Sequence, residues 1–213
     1  NASPRVEFSK ARYARSGVLG APNGIFGWGI GWYPASERGA AADGGAAVVI
    51  TTADRARDMA KPPVYISGIG FGAGHWNHRS IVKDMDSVHS ESTVIAKHVF
   101  RDAGITHKDI DVLFIYDHFT PLVLMAIEDY GFCKRGEGKD FVMNGRLRWP
   151  DGELPMNTSG GNLSEGYMHG MQNVIEAVRQ LRGVARCQVK DARHAFVSAG
   201  NAVPTSAMIL RNE

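Results

Sequence analysis

A glycine-rich loop that runs directly into a helix constrains this chain more than any other stretch. Residues 157–170 read NTSGGNLSEGYMHG, and the next residues carry apolar side chains at helical spacing. Backbone N–H groups at such a loop and helix start are open to anions and developing oxyanions. Tyr167 and His169, which can both move protons, lie where the loop meets the helix. We therefore expect this loop to carry chemistry and the rest of the chain to position it.

Apolar strands alternate with helices along the remaining sequence. Runs typical of strands lie at 43–52, 64–71, 112–117, 154–157, 194–199 and 205–210, with helices predicted from residue 52 and at 90–103, 120–130 and 168–182. Residues 46–50 are continuously apolar, as in a strand buried on both faces. The alternation predicts an α/β layered domain with a mixed sheet.

Polar side chains follow several of the predicted strands. In open α/β sheets such residues collect in one crevice beyond the strand ends. We therefore expect Tyr116, Asp117 and His118 to converge with the 157–170 loop and the 198–204 turn.

Composition excludes several classes of function. A formal net charge of +2 gives no footprint for nucleic acid, and the apolar runs are far too short for a membrane span. No secretory leader is visible, and Cys133 and Cys187 have neither metal-ligand nor disulfide-framework spacing. We expect two reduced thiols and a cytoplasmic protein.

A histidine-rich loop invites a metal interpretation. His75, His78 and His89 stand near two aspartates in the polar stretch 72–90. Their spacing matches no metal-ligand template. We predict no metal site, and the roles of these histidines stay open.

Six segments, taken in this order, resemble the C-terminal half of thiolases, and most closely the sterol-carrier-protein branch. They lie at residues 43–48, 90–104, 116–119, 130–133, 157–170 and 196–210. The resemblance covers roughly 43–211 and implies a thiolase-like layered sandwich with a mixed five-stranded sheet covered by helices. Residues 43–213 are then a thiolase-like C-terminal domain. Residues 1–42 are an irregular segment rich in glycine and aromatics, either a remnant of the N-terminal half or a loop domain.

Three departures from the thiolase pattern affect the chemistry. Tyr167 stands where thiolases carry the histidine of Gly-His-Pro, and Tyr116 stands at the other oxyanion-hole position. Ser198 stands where the family has the acid/base cysteine of Cys-x-Gly. The half that carries the nucleophilic cysteine of thiolases is absent from these 213 residues.

These departures resemble the thiolase-like aldolases of steroid side-chain degradation. That resemblance implies retro-aldol cleavage of a β-hydroxyacyl-CoA to a ketosteroid and propionyl-CoA, with no bound cofactor and a coenzyme A thioester as substrate. It also implies a homodimer through the thiolase fold and a small OB-fold partner that binds acyl-CoA. The implied catalytic pair is Tyr116 and Tyr167, and we add His118 and His169 as candidate catalytic residues. The candidate substrate-binding residues are Asp117, Ser159, Gly160, Gly161, Ser198 and Asn201.

Other interpretations stay open at this point. The chain is also compatible with a non-catalytic acyl-CoA or lipid carrier, with a degenerate acetyl-CoA acyltransferase, and with a structural half that mediates dimerisation. Tyr116 would then be an ordinary strand-end tyrosine, and Asp117 would order the loop.

Overall fold

A four-stranded mixed sheet organises the part of the chain that this computed structural model describes, which is residues 25–32, 43–72, 91–165, 168–199 and 205–213. The strands outside this sheet are β1 (Ile25–Trp32) and β2 (Asp43–Ile50), and those within it are β3 (Tyr65–Gly72), β4 (Val112–Phe114), β5 (His194–Ala199) and β6 (Thr205–Arg211). The order in the sheet is β3-β6-β5-β4. β4 and β5 run parallel, and the other neighbours run antiparallel.

Helices cover both faces of the sheet. In chain order they are α1 (Ala53–Arg57), α2 (Glu91–Ala103), α3 (Thr120–Asp129), α4 (Gly138–Phe141), α5 (Gly161–Ser164) and α6 (Met171–Leu181), and a short 3₁₀ helix spans His107–Asp109. α2 and α3 bury a core around Tyr130 and Phe196, whereas α6 closes a second core around Phe114 and Val197. The predicted α/β layered architecture is confirmed. No described helix is both long enough and apolar enough to cross a membrane.

The predicted five-stranded sheet is wrong by one strand among the described residues. Residues 154–157 form only an isolated parallel bridge between Leu113 and Met156. Asn157 has a φ of 48°, so the chain turns away from β4 immediately after the bridge. A strand that ends after one bridge is not counted as part of the sheet.

β2 lies outside the four-stranded sheet and pairs with β1 in an antiparallel hairpin. The prediction that residues 46–50 are buried on both faces is wrong, because Val49 is 59% exposed. The segment predicted to be irregular contains β1. Its sequence IFGWGIGW alternates glycine with large apolar residues at the period of a strand. The division of the chain at residue 42 stays a prediction.

Glycines allow helix α2 to lie against the backbone of edge strand β3. A Cβ atom at Gly68 would lie 2.2 Å from the carbonyl oxygen of Val99, and one at Gly70 would lie 2.8 Å from Cγ2 of Ile95. Because these distances are well inside van der Waals contact, a larger residue fits only if the helix moves. Close packing of this kind leaves no void for a methyl group.

We expect Gly68→Ala to lower the free energy of unfolding by about 1–3 kcal/mol, because the new methyl group displaces a backbone atom of α2. Urea unfolding followed by circular dichroism measures this loss. Ile69→Ala on the exposed face of the same strand is the control and should change stability by less than about 0.5 kcal/mol. Equal losses in the two variants would show that the packing of α2 on β3 is not this tight.

Candidate active site

Tyr116 lies just beyond the carboxyl end of β4, and side chains hold its main chain in place. Its backbone N–H donates to Oγ of Ser198 on β5 at 3.2 Å. Ser198 is 1% exposed. The structure therefore gives Ser198 a contact with the main chain of Tyr116, and its predicted contact with substrate stays a prediction.

The ring of the half-buried Tyr116 meets the glycine-rich loop at Gly170. A Cβ atom at Gly170 would lie 3.1 Å from Cδ2 of Tyr116, and Gly170 has a φ of 88° that favours glycine. The His118 ring packs against the Tyr116 ring, and the two ring centroids are 4.9 Å apart. The predicted convergence with the 157–170 loop is thus confirmed for Tyr116, and His118 packs on the ring of Tyr116.

Asp117 fastens the loop to the strand end. Its buried carboxylate accepts hydrogen bonds from the backbone N–H of Asn162 at 2.8 Å and from Nδ2 of the same residue at 3.0 Å. Asn162 in turn accepts the N–H of Gly170 at 3.2 Å and a side-chain N–H of Gln172. A continuous chain of hydrogen bonds therefore runs from the end of β4 to the start of α6.

These hydrogen bonds use two loop N–H groups that the sequence suggested were open to an anion. The N–H of Asn162 and the N–H of Gly170 both donate to side chains of the protein. Stabilisation of an oxyanion at this site must therefore come from other donors. The predicted substrate contact of Asp117 stays a prediction beside its observed role in ordering the loop.

His118 is half-buried between Tyr116 and the exposed ring of Phe119. Burial lowers the pKa of His118 below its ordinary value, against the smaller raising effects of the Tyr116 backbone and the Asp117 carboxylate. Among the described residues, no hydrogen-bond partner meets its buried Nδ1. A neutral imidazole with one unpaired nitrogen is chemically able to take up or donate a proton.

The other predicted residues fall into two groups. Gly160 and Gly161 start α5 with left-handed backbone, Ser159 is half-buried, and His169 is exposed at the turn before α6. Tyr167 and Asn201 lie outside the described residues, as do His75, His78 and His89. The catalytic and substrate-binding assignments of all these residues stay predictions.

A carboxylic acid that the sequence did not single out lies next to Ser159. Burial raises the pKa of Glu165, while the Ser159 side chain lowers it and Glu176 raises it further. Glu165 follows α5 directly and therefore belongs to the same loop. Its position as one charge among polar neighbours gave no signal in the sequence.

Helix α6 presents a buried polar row to the loop. The hydroxyl of Thr158 donates to Oε1 of Glu176 at 3.2 Å and accepts from Nε2 of Gln180 at 2.9 Å. Gln172, Glu176 and Gln180 are each no more than 4% exposed. The sequence prediction of this helix rested on its apolar stripe alone. The four-residue spacing of these three polar side chains was the signal that could have revealed the row.

Within the described ranges, no group of three or more histidine, cysteine, aspartate and glutamate side chains is arranged to hold a metal ion. Cys133 and Cys187 are both free and half-buried. Burial raises the pKa of Cys133 to about 11. That thiol is therefore protonated at neutral pH and is a poor nucleophile.

Comparison with known proteins places this chain in a family. The model of the thiolase C-terminal domain-like family matches residues 72–212. The chain belongs to this family. The thiolase resemblance and the thiolase-like layered fold inferred from sequence are therefore confirmed.

Two relatives carry functional names. The chain is 42% identical over 170 residues to the steroid side-chain-cleaving aldolase of Thermomonospora curvata, covering 79% of this chain and 43% of the relative. It is 39% identical over 171 residues to the 17-hydroxy-3-oxo-4-pregnene-20-carboxyl-CoA lyase of Mycobacterium tuberculosis, covering 79% and 44%. The chain thus spans less than half the length of these relatives.

Solved structures share the fold. The Ltp2-ChsH2(DUF35) aldolase superimposes with a TM-score of 0.71 at 41% identity, over 80% of this chain and 45% of that one. A monomeric SCP2-thiolase like protein from Mycobacterium smegmatis gives a TM-score of 0.56 at 23% identity, over 79% and 34%. The second likeness establishes the fold alone.

We expect Gly161→Ala to destabilise the chain more than Gly104→Ala does. Both glycines have nearly the same left-handed φ, 69° and 68°, so the backbone strain of an alanine is matched. A Cβ at Gly161 would lie 2.2 Å from Oδ2 of Asp117, whereas a Cβ at Gly104 has no atom within 4 Å. The extra loss should be about 1–3 kcal/mol in urea unfolding. Equal losses would mean that the Asp117 contact is unimportant for stability.

We expect the stability of the chain to depend on pH partly through His118. Because its folded pKa is below the unfolded value of 6.5, the unfolded state binds the proton more readily as pH falls through this range. The contribution of His118 to the free energy of unfolding therefore decreases towards pH 5. The difference between pH 8 and pH 5 should be smaller in His118→Gln than in the parent. His98→Gln, on an exposed part of α2, should keep the parent's curve.

Proposed function

We propose that this chain is part of an acyl-CoA aldolase that cleaves a β-hydroxyacyl-CoA by retro-aldol chemistry. The observation that carries the proposal is its identity of about 40% to two relatives, one named for steroid side-chain cleavage and one as a CoA lyase. The proposed substrate is the thioester of a steroid side chain, and the proposed products are a ketosteroid and propionyl-CoA.

The reaction needs no covalent nucleophile. A base removes the proton of the β-hydroxyl group, the carbonyl forms, and the bond between the α and β carbons breaks. The electron pair of that bond passes into the thioester as an enolate, which hydrogen-bond donors stabilise. An acid then protonates the α carbon and yields propionyl-CoA. Each acid or base contributes about 10²–10⁴-fold, and enolate stabilisation is of similar or larger size.

Tyr116 and Tyr167 are the proposed acid and base pair. Support for Tyr116 comes from its place past the carboxyl end of β4, half-buried between His118 and Gly170. A free tyrosine has a pKa of about 10, so a tyrosine base needs a neighbour that takes or shares the proton. In this proposal His118 and His169 supply that help.

Since two loop N–H groups are occupied by Asp117 and Asn162, side chains take over part of the stabilisation of the enolate. Among the described residues, the imidazole of His118 beside Tyr116 is one such group. Ser159, Gly160, Gly161, Ser198, Asn201 and Asp117 shape the substrate-binding crevice in this proposal. An enolate held partly by side chains makes catalysis sensitive to small shifts of those side chains.

The proposal includes a partner and an assembly. A small OB-fold protein that binds acyl-CoA is the proposed partner, supported by the solved aldolase whose name joins Ltp2 with ChsH2(DUF35). A homodimer through the thiolase fold, a cytoplasmic location and the absence of a bound cofactor or metal complete it. Coenzyme A enters only as the thioester of the substrate.

Tyr116→Phe and Tyr167→Phe are each expected to lower the release of propionyl-CoA by about 10²–10⁴-fold without changing the melting temperature. The assay uses the full-length protein with its partner and follows propionyl-CoA by chromatography. Tyr65→Phe on β3 is the control, because its ring keeps the contact with Arg211 after the hydroxyl is lost.

Two results would contradict the proposal. Parent-like turnover by both variants would remove the tyrosines from the mechanism. Binding of the β-hydroxyacyl-CoA by the intact parent protein, with no cleavage on product analysis, would identify a carrier instead of an aldolase.

A further inference from the structure

The end of β4 is held by an asparagine side chain in place of a neighbouring strand. From this contact we infer that Asn157 is a positioning residue for Tyr116, acting through Ile115. The inference rests on the proposed role of Tyr116 for its effect on catalysis. Its structural part rests on hydrogen bonds alone.

The backbone of residues 155–157 pairs with β4 only briefly. The N–H of Leu113 donates to the carbonyl of Pro155 at 2.9 Å, and the N–H of Asn157 donates to the carbonyl of Leu113 at 2.9 Å. With a φ of 48° at Asn157 the chain then leaves the strand. The next pair of main-chain groups on this edge, at Ile115, has no strand beside it among the described residues.

The carboxamide of Asn157 supplies both missing hydrogen bonds. Its Oδ1 accepts the N–H of Ile115 at 3.0 Å, and its Nδ2 donates to the carbonyl oxygen of Ile115 at 2.9 Å. Ile115 is fully buried, so both main-chain groups would be costly to leave unpaired. A primary amide is the side chain that offers one acceptor and one donor at this spacing.

Tyr116, which follows Ile115, is held from the other edge of β4. The N–H of Tyr116 donates to Ser198, so consecutive peptide groups are fixed by side chains on two sides. Tyr116 thus lies at the point where main-chain pairing between strands ends and side-chain hydrogen bonds take its place. Small shifts in these two contacts pass directly to the position of the Tyr116 ring.

Asn157 is itself firmly placed. The next residue, Thr158, hydrogen-bonds to Glu176 and Gln180 of the buried polar row on α6. The N–H of Gly160 donates to the carbonyl of Asn157 at 2.8 Å. The carboxamide therefore links Ile115, and through it Tyr116, to the body of the fold.

Two substitutions test the carboxamide without straining the backbone. Asn157→Gly removes both hydrogen bonds and accepts the left-handed φ. Asn157→Asp keeps an acceptor for the N–H of Ile115 but turns an oxygen towards the Ile115 carbonyl. Asn144→Gly is the matched control, because Asn144 is also left-handed, with a φ of 60°, and is exposed.

In the full-length protein with its partner, Asn157→Gly should lower kcat by about 10–100-fold and leave KM within about twofold, since misplacement of a catalytic group acts on the transition state. The same change in a Tyr116→Phe background should cause no further loss of kcat. A further loss of equal size in that background would show a general structural effect and overturn the inference.

A second measurement separates this inference from the proposed function. With ¹³C-labelled tyrosine, the ring signals of Tyr116 should shift in Asn157→Gly and Asn157→Asp and stay unchanged in Asn144→Gly. Unchanged Tyr116 signals in both Asn157 variants would overturn the positioning role. If the signals shift while Tyr116→Phe turns over normally, the positioning role stands and the catalytic role of Tyr116 fails.

Discussion

The buried carboxylate of Asp117 is the contact on which the arrangement of this site depends. An ionised carboxylate is stable away from water only when hydrogen bonds replace its hydration. Asn162 supplies two of these bonds, and the carboxylate lies so close to Gly161 that only glycine leaves room for it. The loop is therefore held against the end of β4 by the hydrogen bonds of Asp117, and the lack of a side chain at Gly161 makes room for that contact.

A second property of the site is that side chains replace the backbone ladder where the chemistry is proposed. Main-chain pairing ends at β4, and Asn157 and Ser198 take over on its two edges. Regular strands give each residue a fixed place but leave little room for a ligand. The ladder ends at the carboxyl end of β4, the end of the strands at which ligands of open α/β sheets bind.

Features that depend on residues close together in the chain were predicted well, and features that depend on distant segments were not. β4, β5, β6, α2, α3 and α6 lie close to their predicted positions, because periodicity records which faces are buried. The fifth strand and the double burial of residues 46–50 were wrong, because each depends on what lies beside the segment in space. The polar row of α6 was overlooked because buried polar residues are rare, and apolar positions dominated the reading of that helix.

The α/β class, the thiolase C-terminal family and the convergence of Tyr116 and Asp117 with the glycine-rich loop could all be predicted from the amino-acid sequence. These follow from local periodicity and from motif order along the chain. Three contacts became evident only in the folded chain: Asn157 pairs with Ile115, Ser198 holds the backbone of Tyr116, and Asp117 accepts a loop N–H. Hydrogen bonds between side chain and main chain at separations of 42 to 82 residues leave no periodic trace, because they depend on how distant segments pack together.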